Sequence, residues 1–117
     1  MPDLLPEEEE VLADSLAEVR REFQEGLKDR LALMESAFAV LERGFDSGAA
    51  EVVFRQSHSL RGTAGAFGAD GLTGPAREIS AIARGWVGQN CAAAQDLSEV
   101  RRQLDRLHHA VTDYLST

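Results

Sequence analysis

The chain has 117 residues, of which 44% are hydrophobic and 27% charged, and its formal net charge at pH 7 is −8. This length suits one domain with one hydrophobic core, and we expect residues 1–117 to form it. The acidic charge argues against a nucleic-acid-binding protein. The single cysteine excludes an intrachain disulfide, and no apolar run is long enough for a membrane span. We therefore expect a cytoplasmic protein.

Two helices are predicted in the first part of the chain. Pro6 suits the first position of a helix, and the four glutamates after it favour the positive end of the helix dipole. Ser15 and Glu18 have capping-box spacing, so we predict a short N-terminal capping helix within residues 1–13 and a bundle over residues 15–115. One continuous helix is the alternative. The long helix is indicated by apolar residues at intervals of three and four: Leu16, Val19, Phe23, Leu27, Leu31, Met34, Phe38 and Leu41.

The next predicted helix covers residues 49–67 and ends at Gly68. Asp46 or Ser47 is placed to cap its beginning. The apolar residues of this helix fall on one stripe, and His58 points roughly 180° away from that stripe. We therefore expect the His58 side chain to face water.

The helix surface around this histidine is predicted to be positive and partly bare. Arg55 and Arg61 lie one turn before and after it, and Gly62 and Gly65 lie one and two turns beyond it on the same face. A glycine within a helix costs roughly 1 kcal/mol relative to alanine. Two glycines beside one exposed histidine suggest that another molecule approaches the imidazole closely.

Two further helices complete the prediction. One begins near Gly74 with Pro75 in its first turn, and residues 85–90, which include Trp86, are predicted to form a loop. The last helix runs from Ala92 or Asp96 to Tyr114. Four helices with narrow apolar stripes and short connections predict an all-α fold, an antiparallel up-and-down four-helix bundle.

The residues from His58 onward, His58-Ser59-Leu60-Arg61-Gly62-Thr63 and then Ala64-Gly65-Ala66-Phe67-Gly68, resemble the signature of the histidine-phosphotransfer (HPt) family. That signature reads His-x-x-Lys-Gly-(Ser/Thr/Gly), then small residues ending in Leu/Phe-Gly. The run that starts at Phe54 is similar also to the phosphoacceptor domain of chemotaxis-type histidine kinases. The resemblance implies a phosphohistidine that passes a phosphoryl group to and from receiver-domain aspartates in a two-component phosphorelay.

The resemblance also implies roles for single residues. His58 is the expected phosphoacceptor, and Arg61, in place of the family lysine, is expected to stabilise charge on the phosphoryl oxygens. The expected partner is the receiver domain of a response regulator, and a histidine kinase is a second candidate partner. The residues expected to contact such a partner surround the histidine: Phe54, Arg55, Gly62, Thr63 and Gly65.

We expect the chain to be a monomer. We also expect it to bind no cofactor of its own, because the resemblance places Mg²⁺ in the partner receiver. The spacing of Asp105 and His108 is found in carboxylate-bridged metal sites, but those need ligands from several helices, so no metal is expected here. Nothing in the sequence suggests a site for ATP. We therefore interpret the chain as a phosphotransfer intermediate and not as an enzyme of the ordinary kind.

The sequence departs from the chemotaxis-type pattern on the helix after the histidine. The glutamate that hydrogen-bonds the phosphoacceptor imidazole is matched by Ser80, and a nearby histidine is matched by Arg77. Glu78 is displaced by two residues, or about 200° of helix rotation. These departures favour a general phosphorelay carrier. A phosphoacceptor domain of a chemotaxis-like kinase and a non-phosphorylated helical adaptor that binds a signalling partner are the alternatives.

Overall fold

The computed structural model describes residues 5–116, which contain helices and no strand. Its four α-helices are α1 (Pro6–Arg43), α2 (Ser47–Thr63), α3 (Thr73–Gln89) and α4 (Ala94–Leu115). Each helix packs against the next one, and α4 packs against α1. The predicted all-α class is confirmed. None of the described helices is both long and apolar enough to cross a membrane.

The first helix is continuous, so the predicted separate capping helix is wrong. The helix starts at Pro6, and the backbone N–H of Leu5 donates a hydrogen bond to Glu8 Oε2 at 3.2 Å. No glycine or proline follows until Gly26, and the capping-box residues Ser15 and Glu18 remain within the helix. The capping signal therefore did not overcome the helical preference of the residues on both sides of it.

The N-terminal half of α1 projects beyond the bundle. Leu16 and Val19, which belong to the apolar pattern of the predicted long helix, are 61% and 48% exposed, whereas Leu27 is fully buried. The 38 residues of α1 give a helix about 57 Å long. The molecule is 56 Å in its longest dimension and 28 Å and 19 Å in the others, so α1 alone sets that length.

The third helix continues through the predicted loop, and this prediction was also wrong. Helix α3 extends to Gln89 and ends at Asn90, whose φ of 52° is left-handed. Trp86 is only 2% exposed, because it continues the stripe of buried residues that includes Ile79 and Ala83. Burial of this large side chain outweighs the cost of about 1 kcal/mol for each helical glycine beside it.

The ends of α2 were predicted more closely. The Asp46 side chain accepts a hydrogen bond from the backbone N–H of Ala49 at 2.8 Å and caps the helix. After Thr63 the chain tightens into a 3₁₀ turn over Ala64–Phe67, and Gly68, with φ of 71°, ends the helical stretch as predicted. A second 3₁₀ turn, Asp70–Leu72, leads into α3.

Two contacts hold the 3₁₀ turn after α2 against the rest of the bundle. The Phe67 ring stacks on the ring of Phe23 from α1, with centroids 4.6 Å apart. The Tyr114 hydroxyl, from α4, donates a hydrogen bond to the Phe67 carbonyl at 2.8 Å. The segment that follows the His58 helix is therefore fixed by both the first and the last helix.

A charged cluster links α1 to α4. Arg101 donates hydrogen bonds of 2.9 and 2.6 Å to the two carboxylate oxygens of Glu35, and His108 Nε2 lies 2.8 Å from Glu35 Oε1. The hydrogen bonds from Arg101 lower the pKa of Glu35 below its ordinary value of 4.5, although partial burial opposes the change. Folding therefore favours the ionised carboxylate.

This lowered pKa predicts a loss of stability in acid. The stabilisation from Glu35 is complete above the pKa of its unfolded form, near 4.5, and is lost as the pH falls through the lower pKa of the folded form. We expect Glu35→Gln to lower the free energy of unfolding at pH 7 by about 1 kcal/mol and to flatten its fall below pH 4.5. Urea denaturation followed by the fluorescence of the only tryptophan, Trp86, measures both.

The matched control is Glu42→Gln, which changes an exposed carboxylate on the same helix. We expect it to leave the acid dependence of the free energy of unfolding as in the wild type. Equal acid dependence of Glu35→Gln and the wild-type protein would show that the cluster does not stabilise the fold.

Candidate functional site

His58 lies in the middle of α2 on its exposed face, and the side chains of Val53 and Leu60 on the other side of the helix are buried in the core. The helix is therefore oriented by its apolar stripe, and this orientation directs the imidazole to solvent. Ser57, beside the histidine, is buried, and its hydroxyl donates hydrogen bonds to the carbonyls of Val53 and Phe54.

The ring of Phe54 stacks on the imidazole of His58. The two ring centroids are 5.5 Å apart and the planes differ by 10°. Positions i and i+4 are neighbours on a helix surface, so the sequence spacing allows this contact. Phe54 is half-buried and packs against the hydrophobic core. The structure thus places the Phe54 ring parallel to the imidazole in a stacked contact, as well as near the surface expected to meet a partner.

The imidazole nitrogens of His58 make no hydrogen bond to any residue in the range 5–116. Ser80, at the position of the family glutamate, is buried in α3, and Glu78 is exposed without a hydrogen bond to His58. No described carboxylate therefore orients the imidazole or fixes its tautomer.

Gly62 and Gly65 leave the surface beside His58 bare. Both are exposed, and neither has a φ in the left-handed region. A Cβ atom added at Gly62 would meet nothing within 4 Å, and one added at Gly65 would make ordinary contact with Asp70 Oδ1 at 3.6 Å. Neither backbone conformation nor packing within the described chain requires glycine at these positions.

The two arginines on this face differ in their partners. Arg55 forms an ion pair with Glu51, one turn earlier on α2. Arg61 is exposed, and it makes no ion pair or hydrogen bond with another residue of the described part of the chain. Of these two arginines, Arg61 is therefore the one whose charge no described carboxylate offsets.

A polar network beside His58 was not anticipated from the sequence. Arg30 reaches across from α1 and donates hydrogen bonds to Gln56 Oε1 at 3.3 Å and to Ser59 Oγ at 2.6 Å. The hydroxyl of Thr63, a residue that was predicted to contact a partner, donates a hydrogen bond to the Ser59 carbonyl at 3.0 Å. A contact between residues 29 positions apart depends on how α1 and α2 pack, and no local sequence pattern indicates it.

The spacing of Asp105 and His108 does not produce a metal cluster among the described residues. Asp105 accepts hydrogen bonds from Arg101 at 3.2 and 2.7 Å, and His108 pairs with Glu35 as described above. These side chains are engaged in ion pairs between and within helices. Cys91 lies exposed in the connection between α3 and α4.

Among known families, the Hpt domain family matches residues 18–111 of the chain. This match covers most of the chain and includes α2, α3 and the site around His58. The projecting end of α1 before residue 18 lies outside it. No curated protein and no solved structure matches the chain.

Proposed function

The chain belongs to the Hpt domain family, and on this premise we propose that it carries a phosphoryl group on His58 to and from receiver-domain aspartates in a two-component phosphorelay. The observation that best supports this proposal is an exposed imidazole whose nitrogens have no hydrogen-bond partner in residues 5–116 and whose surroundings include two bare glycines. Such an imidazole is open to a large reactant.

The chemistry suits a neutral imidazole. One ring nitrogen uses its lone pair to attack the phosphorus of an aspartyl phosphate, while the bond between phosphorus and the aspartate oxygen breaks and the carboxylate leaves with the electron pair. The second ring nitrogen holds the ring proton, so the ring gains positive charge. Attack by another aspartate carboxylate on the same phosphorus returns the imidazole. Mg²⁺ bound by the receiver, not by this chain, would neutralise phosphoryl charge.

Several features of the wider proposal depend on the same premise. The partner is the receiver domain of a response regulator, with a histidine kinase as a possible second partner, and the compartment is the cytoplasm, where such receivers are expected. Connections of three residues between α1 and α2 and four between α3 and α4 support an antiparallel up-and-down order of helices. The missing carboxylate beside His58 favours a relay carrier over a chemotaxis-type kinase domain.

The test is incubation of the chain with a panel of receivers phosphorylated on aspartate, in the presence of Mg²⁺. We expect phosphate label to move to this chain and to be labile in acid and stable in base, as a phosphoramidate is. Label that is absent with every receiver, while at least one receiver binds, would indicate the helical adaptor and overturn the carrier proposal.

Arg61 provides a graded prediction. We expect Arg61→Ala to slow transfer about tenfold, because it removes an unpaired positive charge one turn from His58. We expect Arg61→Lys to retain most of the rate, because it keeps that charge. Rapid-quench measurements of transfer at saturating receiver test both variants. Arg20→Ala, which removes an exposed arginine from the projecting end of α1, is the control, and an equal loss of rate in that variant would contradict a local role for Arg61.

A further inference from the structure

We propose that Phe54 is the positioning residue of His58: its ring holds the plane of the imidazole for attack on phosphorus and stabilises the positive charge that the imidazole gains. This inference rests on the proposed function. It differs from the sequence prediction, in which Phe54 contacts the partner.

The first support is that the Phe54 ring is held in place by the helix bundle. Phe54 is half-buried and packs against the hydrophobic core, and this packing restricts the movement of its ring. The imidazole lies nearly parallel to it, at 10° and with centroids 5.5 Å apart. A side chain at the surface loses rotamer freedom when one of its faces rests on a fixed ring.

The second support is that no other described group orients the imidazole. Neither ring nitrogen of His58 makes a hydrogen bond to residues 5–116, and the position of the family glutamate holds the buried Ser80. Among these residues, the Phe54 ring is the side chain that contacts the imidazole of His58. In the family pattern, a carboxylate orients the imidazole by a hydrogen bond at the edge of its ring. In this chain, Phe54 orients the imidazole by stacking against its face.

The direction of the stack suits the reaction. The nucleophilic lone pair of an imidazole nitrogen lies in the plane of the ring, so phosphorus must approach along the ring edge. A phenyl ring stacked parallel to the imidazole leaves that edge open and favours one plane for the imidazole, in which the phosphoryl group arrives. A Cβ at Gly62 would have nothing within 4 Å, so the space that the phosphoryl group and the receiver need is available on the same side of the helix.

The positive charge that the imidazole gains during the reaction makes its interaction with Phe54 stronger in the transition state than before. As the new bond between nitrogen and phosphorus forms and the bond between phosphorus and the aspartate oxygen breaks, the imidazole that retains its proton on the other nitrogen becomes cationic. The face of an aromatic ring carries partial negative charge and attracts a cation placed over it. Phe54 therefore interacts more strongly with the imidazole in the transition state than before reaction, which is the condition for raising the rate.

The experiment compares Phe54→Leu, Phe54→Tyr and the control Phe45→Leu. Leucine keeps apolar packing against the core but has no ring face, whereas tyrosine keeps the face. Phe45 is a partly exposed phenylalanine before the start of α2, roughly 20 Å along the helix from His58. Single-turnover transfer from a phosphorylated receiver, measured over a range of receiver concentrations, separates the maximal rate from the half-saturating concentration.

We expect Phe54→Leu to lower the maximal rate of transfer roughly three- to tenfold, with less than a twofold change in the half-saturating receiver concentration. Phe54→Tyr, which keeps the ring face, should transfer at about the wild-type maximal rate. A higher half-saturating concentration at an unchanged maximal rate would overturn the proposal in favour of partner contact. An unchanged maximal rate, or one that Phe54→Tyr does not restore, would overturn it too. Phe45→Leu should match the wild type, and an equal loss there would also count against it.

A second measurement does not depend on the variants or on transfer. In the wild-type protein, nuclear Overhauser effects should connect the ring protons of Phe54 with the imidazole protons of His58, because the two ring centroids are 5.5 Å apart. Their absence from the NMR spectrum would overturn the stacking itself. If the wild-type chain takes no label on His58 but shows these effects, the proposed function fails while the stacking stands. If the wild-type chain takes label and Phe54→Leu transfers at the wild-type rate, the positioning role fails while the proposed function stands.

Discussion

A His58→Gln variant is expected to take up no detectable phosphoryl label from any receiver that labels the wild-type chain. Glutamine approximates the size and polarity of histidine, but the lone pair of its amide nitrogen is delocalised and does not attack phosphorus. His58 is exposed and makes no hydrogen bond within the described residues, so the free energy of unfolding should change by less than about 0.5 kcal/mol.

The control for this variant is His109→Gln, which removes an exposed histidine from α4. We expect it to accept label as the wild type does. The measurement is acid-labile, base-stable label on each purified variant, together with urea denaturation to establish that each is folded. Label retained by folded His58→Gln, or lost by His109→Gln, would show that His58 is not the phosphoacceptor.

Gly62→Leu and Gly65→Leu are expected to separate stability from transfer. The added side chain at Gly62 enters open space, and leucine is a better helix former than glycine, so the free energy of unfolding should rise by up to about 1 kcal/mol. At Gly65 the only contact within 4 Å is Asp70 Oδ1, and we expect little change. Transfer should fall at least about a hundredfold in both variants, because the leucine side chain occupies the space that the receiver needs.

Gly88→Leu is the matched control for the glycine variants. Gly88 is also helical, exposed and without neighbours around an added Cβ, but it lies in the last turn of α3, at the end opposite the connection from α2. Its transfer rate should equal that of the wild type. Normal transfer by folded Gly62→Leu and Gly65→Leu would contradict the inference that the bare surface exists for a partner.

The fold was predictable where a pattern is local. The period of apolar residues in α4 and the cap of α2 by Asp46 both depend on neighbours within one or two turns, and the structure has both. The two wrong predictions, the loop at residues 85–90 and the break before Ser15, concern segments whose structure depends on tertiary burial or on the helical preference of a longer stretch. Glycines on both sides of Trp86 indicated a loop, but the indole needs the core. The capping signal at Ser15 indicated a break that uninterrupted helix formers do not make.

The same distinction applies to the candidate site. The exposure of His58 follows from helical periodicity, and its lack of a carboxylate neighbour follows from Ser80. The hydrogen bonds from Arg30 to the His58 helix depend on how two helices pack, so no local sequence pattern predicts them. The stack of Phe54 on His58 could not be predicted from the sequence spacing alone. The same spacing is compatible with a Phe54 ring that is turned toward solvent, and only the structure shows the direction of the side chain.

The projecting end of α1 has a consequence for how the molecule moves through solution. The radius of gyration is 17.0 Å, whereas about 13 Å is usual for a compact chain of this length. A rod-like extension increases friction, so one copy should elute from a gel-filtration column ahead of globular standards of equal mass. Light scattering, which weighs particles independently of their drag, is therefore the appropriate way to count subunits.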